Sequence, residues 1–266
     1  MTRLKELEKK IIFEIGFVAQ FAWDDFKNKY AGSLLGKSWA FLQPMLVICI
    51  YWFVFQMGFK SAPVENLPFI LWLISGLISW FFIGDAISNA TGSMIEYSYL
   101  VKKVLFNITI LPFAKVLSIL FVQVFLIFFT IAAFCIFGFW PDLYYFQIIY
   151  YMIYMVLLVT GIAYLVSALF VFFRDLSQII SVLLQLQFWM SPFVWDFKIL
   201  PENVQFVLKL NPIYYVVSGY RDTFVYKVGF WENIPGMVYY WGITLIIFGV
   251  GIKVFNKLKP HFADVL

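Results

Sequence analysis

Residues able to do chemistry are scarce in this chain. The first group to test is Gly32-Ser33-Leu34-Leu35-Gly36-Lys37-Ser38, which has the residue types of a phosphate-binding loop. Such a loop needs four residues between its glycines and a strand in front, so that successive backbone N–H groups wrap the phosphates. Here three residues intervene and an amphipathic stretch precedes, so no nucleotide site is expected. Acid–base and metal chemistry have equally little to work with, because the one histidine, His261, lies five residues from the end. Cys49 and Cys135 fall inside apolar stretches and form no CxxC pair, which argues against disulfide or metal roles. Asn89-Ala90-Thr91 and Asn107-Ile108-Thr109 match glycosylation sequons, but both fall on the side assigned below to the cytoplasm. Asp85 closes the second apolar stretch and Lys115 opens the third, and these two charges are expected to pair or snorkel at the membrane surface. No catalytic residue and no metal ligand set is expected. Binding and passage remain.

The elements that must position these residues are those of a membrane protein. Hydrophobic residues make up 63% of the 266, charged residues 13%, and the mean hydropathy is +0.88. Ordinary globular chains hold roughly 45–50% apolar and about 25% charged residues. That composition excludes a disordered chain, a disulfide-stapled module and a nucleic-acid binder with basic stripes. A helix crossing the hydrocarbon needs about 20 apolar residues, and six charge-free windows reach about that length: 38–59, 67–84, 116–140, 143–173, 176–195 and 233–252. Extended to their flanks, they predict six transmembrane helices at about 38–59, 67–90, 110–140, 143–173, 176–195 and 233–254. Alternating the loops puts fourteen Lys and Arg on one side and Lys60, Lys198, Lys209, Arg221 and Lys227 on the other, so both termini are expected in the cytoplasm. The basic N-terminus lacks the short apolar core and cleavage site of a signal peptide.

Three segments outside the spans carry a pattern. Leu4, Leu7, Ile11, Ile15, Val18, Ala22 and Phe26 recur every three or four residues, with charges mostly off that stripe, which predicts an amphipathic helix along the cytoplasmic membrane surface. The segment 91–110 carries Glu96, Tyr97, Tyr99, Leu100, Lys102 and Lys103, a mixture suited to a short helix on which a soluble partner docks. After the fifth span, Ser191-Pro192, Pro201 and Pro212 break a stretch too apolar for free solution, which predicts short re-entrant helices in the outer leaflet.

Set in order, these residues resemble a family. Asp25-Phe26-Lys27-Asn28-Lys29-Tyr30, then Ser33-Leu34-Leu35-Gly36-Lys37-Ser38-Trp39 and Gln43-Pro44, look like the N-terminal gate region of the membrane subunits of type 2 ABC exporters for O-antigen, teichoic acid and capsular polysaccharide. Leu100-Val101-Lys102-Lys103-Val104-Leu105-Phe106, Phe173-Arg174-Asp175-Leu176, Ser191-Pro192, Asn211-Pro212, Tyr220-Arg221 and Phe262-Ala263-Asp264-Val265-Leu266 follow in the family's order. The chain departs from the pattern at Asp24, usually basic, at Lys29, usually arginine, and at Asn107, usually proline.

The resemblance implies an all-α integral membrane protein, a homodimer of six-span subunits working with two cytoplasmic ABC ATPase subunits, which would hold the ATP and magnesium. It implies an N-terminal interface and gate region at 1–36, a membrane domain at 37–256 and a cytoplasmic tail at 257–266. The transported molecule would be a lipid-linked glycan, moved outward across the bacterial inner membrane. By the same resemblance, Lys27, Lys29, Tyr30 and Lys37 would receive the diphosphate end. Glu96, Tyr97, Tyr99, Lys102 and Lys103, with Arg174 and Asp175, would couple to the ATPase. Pro192, Pro201, Asn211, Pro212 and Arg221 would belong to the outer gate.

A long glycan must slide through a conduit, and sugar rings stack their C–H faces on aromatic faces. Aromatic residues are 22% of the chain, a surplus that suits such a lining as well as interfacial belts. Trp52, Phe55 and Phe59 share a helical face, Tyr150 and Tyr154 share another, and Trp189, Phe193 and Trp195 lie near the expected outer mouth. Export of a drug or small lipid would use the same topology. A secondary transporter would be expected to show paired repeats and intramembrane ionisable residues, and a membrane transferase a His or acidic cluster; none is evident.

Overall fold

The computed structural model describes residues 2–64, 66–103 and 106–266, with side chains described from Gly16 onward. The stripe residues Leu4, Leu7, Ile11 and Ile15 therefore lie outside the described side chains, and Val104 and Leu105 of the basic tag lie outside the described residues. The chain is helical throughout, with no β-strand among the described residues beyond an isolated bridge between Val64 and Leu67.

The amphipathic N-terminal stretch forms α1 (Thr2–Lys29), and α2 (Trp39–Trp52) runs on through a π-helical turn at Phe53–Gly58. Next come α3 (Phe69–Thr91), two single turns α4 (Ser93–Glu96) and α5 (Ser98–Val101), and α6 (Ile110–Ile136). The remainder is α7 (Gln147–Phe172), α8 (Leu176–Met190), α9 (Glu202–Lys209), α10 (Pro212–Arg221), α11 (Ile234–Leu258) and α12 (Phe262–Val265). Five of these helical stretches are long and apolar enough to cross a membrane. The fifth predicted span, 176–195, is shorter than expected: α8 has 15 residues, about 22 Å of rise against a hydrocarbon layer of about 30 Å. It stops where Ser191 and Pro192 leave the helix, and the chain continues as buried irregular backbone through Val194. The third span, expected to run to residue 140, ends at Ile136 because Gly138 takes φ +88° and its neighbour Phe139 closes the end with an N–H···O bond of 2.9 Å to Phe134. The docking segment is two separate turns rather than one helix.

α3 is the most buried of the long helices and contacts α2, α6, α7, α8 and α10. α11 packs on α7 through glycines: a Cβ on Gly161 would lie 2.6 Å from the Phe248 Cα, and one on Gly251 would strike the Gly161 carbonyl. Without side chains there, the two backbones approach closely, as small residues allow between membrane helices. α1 lies against α6, with Ala22, Asp25 and Phe26 buried and Trp23 edge-on to Phe121 at 5.1 Å.

Candidate functional site

A buried charge cluster joins three elements at the end of α6. The Lys115 ammonium lies 2.6 Å from Asp25 Oδ1 on α1 and 2.7 Å from Glu96 Oε2 on α4. The Tyr97 hydroxyl donates to the same Asp25 oxygen at 2.5 Å, and the ammonium sits 5.0 Å from the Tyr97 ring centroid. Lys115 and Asp25 are 5% and 4% exposed, so the pair is withdrawn from water and held by neighbours on every side. The expected Asp85–Lys115 pair does not form. α1 lays Asp25 directly on α6, and the nearer carboxylates take the ammonium, while Asp85 faces a cavity with Lys29. Of the expected coupling residues, Glu96 and Tyr97 meet in this cluster, while Tyr99, Lys102 and Lys103 are exposed and Arg174 and Asp175 are exposed in the α7–α8 turn.

The four residues expected to receive a diphosphate separate into two pairs. The Lys27 and Lys37 ammonium groups lie 6.0 and 5.4 Å from the Trp23 ring centroid, within cation–π reach, and Lys27 also pairs with Asp24. Lys29 and Tyr30 instead line a cavity of about 270 Å³ between the end of α1 and helices α2, α3 and α6. The walls desolvate Lys29 and hold it below the usual lysine range, an effect partly offset by the Asp85 carboxylate. The same burial, with Asp85 nearby, pushes the Tyr30 phenol up to about 12. Gln43 and Gln123 line the cavity too. Gln43 enters the sequence reading only through the family pattern and Gln123 not at all; an amide in the middle of an apolar helix was the available signal.

A second surface runs along α8. Gln178, Ser181, Gln185 and Trp189 recur every three or four residues, so they share one helical face, and all four are exposed. Flanking this stripe is the packed side of the helix, with Ile180 and Leu184 half-buried and Phe188 buried against Tyr51 of α2 at 5.8 Å and Trp80 of α3 at 5.4 Å. On α2 it is Tyr51 that meets this helix; the π turn exposes Phe59, with Phe55 half-buried between Phe59 and Phe69, while Trp52 lines an apolar cavity with α3 and the end of α6. The polar half of this surface was also missed, although its three-and-four spacing is visible in the sequence.

Two of the expected conduit aromatics are not on any surface. Tyr154 is 0% exposed, its hydroxyl donating to the Pro212 carbonyl at 3.2 Å, and Phe193 is 0% exposed and stacked on Phe188. The start of α10 covers Tyr154, and Phe193, in the proline-broken segment itself, turns inward against Trp80 and Phe188. Tyr150 is half-buried, bonded to the Tyr215 hydroxyl at 2.9 Å and receiving the Trp241 indole N–H at 2.7 Å. Trp189 is exposed, and Trp195 is half-buried with its indole donating to the Trp189 carbonyl at 3.2 Å.

The outer segment folds as two short helices with defined starts. Pro201 precedes α9, and the Asn211 side chain caps α10 by accepting the Ile213 N–H at 3.0 Å, with Pro212 at the first helical position. α9 leaves Val204, Phe206 and Val207 exposed, as an element lying in the outer leaflet would. Arg221 ends α10 buried rather than facing outward: its guanidinium stacks 3.6 Å from the Trp72 ring centroid and donates to the Phe193 carbonyl at 3.0 Å. The close approach requires Gly76, where a Cβ would lie 3.0 Å from the guanidinium. Pro192 is buried beside it, and burial pushes the neighbouring Asp222 carboxyl up to about 7.

Residues 18–225 match the family described as ABC-2 type transporter. Among curated relatives, an O-antigen export system permease protein RfbA of Klebsiella pneumoniae is 29% identical over 251 residues, covering 91% of this chain and 92% of that protein. A second Klebsiella pneumoniae protein of the same name is 30% identical over 243 residues with the same coverage. One from Myxococcus xanthus is 23% identical over 254 residues, covering 94% of this chain and 95% of that protein.

Proposed function

The chain belongs to the ABC-2 type transporter family, and on that premise we propose that it is the permease subunit of an ATP-driven exporter that moves a lipid-linked polysaccharide outward across a bacterial inner membrane. The observation that carries this reading is the exposed Gln178–Ser181–Gln185–Trp189 face of α8, on a helix that meets α2 through Phe188 and Tyr51. Polar side chains on a membrane helix face water or protein, not lipid. A face of amides, a hydroxyl and an aromatic ring suits a sliding glycan, which exchanges hydrogen bonds and stacks its apolar faces at little cost per step. One chain supplies half of such a conduit. A second copy, facing it, would close the wall.

In this reading residues 1–36 form the interface and gate region, 37–256 the membrane domain and 257–266 a cytoplasmic tail, with both termini in the cytoplasm. Two ATPase subunits bind ATP and magnesium and dock near Glu96–Lys103 and Arg174–Asp175. Lys27 and Lys37 on Trp23, with Lys29 and Tyr30 at the cavity, draw in the diphosphate. Lysine offers it a compact charge without the bidentate fork of arginine. Pro192, Pro201, Asn211, Pro212 and Arg221 shape the outer gate.

The test is deletion in the source bacterium combined with purification of the tagged chain. Loss of surface polysaccharide, with lipid-linked glycan accumulating inside, and recovery of a two-plus-two complex with an ATPase are expected. Unchanged surface polysaccharide, or a monomer that transports alone, would overturn the reading.

A further inference from the structure

A second polar cavity, of about 310 Å³, lies where the chain leaves α8 at Pro192 and α10 ends at Arg221. It is at the far end of α3 from the Lys115 cluster: the first turn of α3 carries Trp72, which stacks on Arg221, and its last turn leads into α4, whose Glu96 meets Lys115. Its wall mixes signs, with Arg221 positive, Asp196 and Asp222 acidic and Ser218 a hydroxyl, and the rings of Phe197 and Tyr214 pack at 4.8 Å in the same wall. Arg221 is 5% exposed, and among the described residues no carboxylate lies within ion-pair distance of it. A guanidinium withdrawn from water without an acidic partner is costly, and ligand oxygens against it would offset that cost. Asp196 is half-buried and held in place, since its Oδ1 accepts the Lys198 N–H at 2.9 Å. The cavity also continues the polar face of α8. That face ends at Trp189, whose carbonyl accepts the Trp195 indole N–H at 3.2 Å, and Asp196 is the next residue along the chain.

Two acidic groups beside one cation suit neither a lone phosphate nor an aliphatic chain. They suit a polyhydroxylated ring, whose neighbouring hydroxyls donate to carboxylates and accept from a cation while its C–H face lies on an aromatic ring. The volume sits at the lower end of ligand pockets, which run roughly 300–1,000 Å³, so it admits one such ring rather than a folded chain. We propose that this cavity is an exit subsite, holding one sugar residue of the glycan as it leaves the α8 face on the outer side. Asp196 and Ser218 meet sugar hydroxyls, and Arg221 supplies the fixed positive wall. This rests on the reading of the chain as a glycan permease and adds to it a binding site separate from the open α8 face. A phospholipid headgroup of the outer leaflet also carries polar groups, so the test must separate the two.

A photo-crosslinking amino acid, p-benzoylphenylalanine, is placed at Val228, an exposed residue of the cavity wall, in cells whose glycan is labelled with radioactive sugar. The expected result is a light-dependent adduct of the full-length chain that carries the sugar label. Ser218→Leu fills the space and should abolish that adduct. Asp196→Asn keeps an acceptor for the Lys198 N–H and removes the charge. It should weaken the adduct roughly tenfold, the scale of one hydrogen bond to a charged group, while the amount of ATPase co-purifying stays unchanged. Should Ser218→Leu fail to accumulate in the membrane, Asp196→Asn decides alone. An adduct carrying only phospholipid, or a sugar adduct indifferent to both substitutions, overturns the exit subsite. So does the absence of any adduct at Val228 when the same amino acid at Trp189 crosslinks the glycan. Those outcomes leave the permease reading standing if deletion of the chain still abolishes surface polysaccharide. If deletion leaves it intact, the reading itself falls.

Discussion

Lys115 shows how burial sets the importance of a charge. With one carboxylate partner buried and the other half-exposed, its removal strands Asp25 in a dry site, and breaking such a pair costs about 3–5 kcal/mol. Glu96, with 55% of its side chain exposed, belongs with surface pairs worth about 0.2–1 kcal/mol. Lys115→Met should therefore sharply lower the thermal midpoint of the purified protein while Glu96→Gln barely moves it; equal effects would count against the assigned roles. Asp222 supplies a pH signature. Its folded-state carboxyl titrates near 7 rather than in the usual carboxylate range, so the folded state binds the extra proton between those values. Stability from this group is complete in acid and is lost as pH rises through about 7. Asp222→Asn should flatten the dependence of the melting midpoint between about pH 4 and 7 and raise the midpoint at pH 8. A variant as pH-sensitive as the parent would refute this.

Helix contacts rest on positions where a side chain is missing. On α7, Gly161 faces Phe248 backbone that cannot rotate away, so Gly161→Val should separate α7 from α11 and destabilise by about 1–3 kcal/mol or more. Gly249, the residue after Phe248, has open space at its Cβ, and Gly249→Ala should be neutral in the same melting assay. Equal losses would mean that α11 is not seated as described. The sequence made the long helices legible because apolar runs of sufficient length have few alternatives in lipid. It misplaced their ends where the signal is conformational: Gly138 stops α6 by adopting a positive φ, and Ser191-Pro192 stops α8 one turn early. Tyr154 looked like a conduit residue because its spacing from Tyr150 reveals a shared face, and Phe193 because it lies near the expected outer mouth; neither sign can reveal that both side chains are fully buried.

For the whole molecule, the consequence lies on the open face of α8. Ser181→Leu with Gln185→Leu should slow polysaccharide export several-fold without lowering membrane accumulation, since neither side chain is packed in the single chain. Cysteines at those positions should react with water-soluble maleimides in the assembled transporter; protection in a lipid-like pattern would place the face against acyl chains instead. By itself, the sequence determined the helical membrane class, the order of the elements and the family. Those depend on composition and local order, quantities summed along the chain. Only the tertiary structure decided that Lys115 pairs with Asp25 and Glu96 rather than Asp85, that Arg221 stacks on Trp72, and that buried Gln123 donates to the Tyr220 hydroxyl. Those depend on how each helix is rotated about its axis and which helices become neighbours, and many rotations fit one hydropathy pattern while a single close-packed arrangement satisfies the glycines and buried charges together.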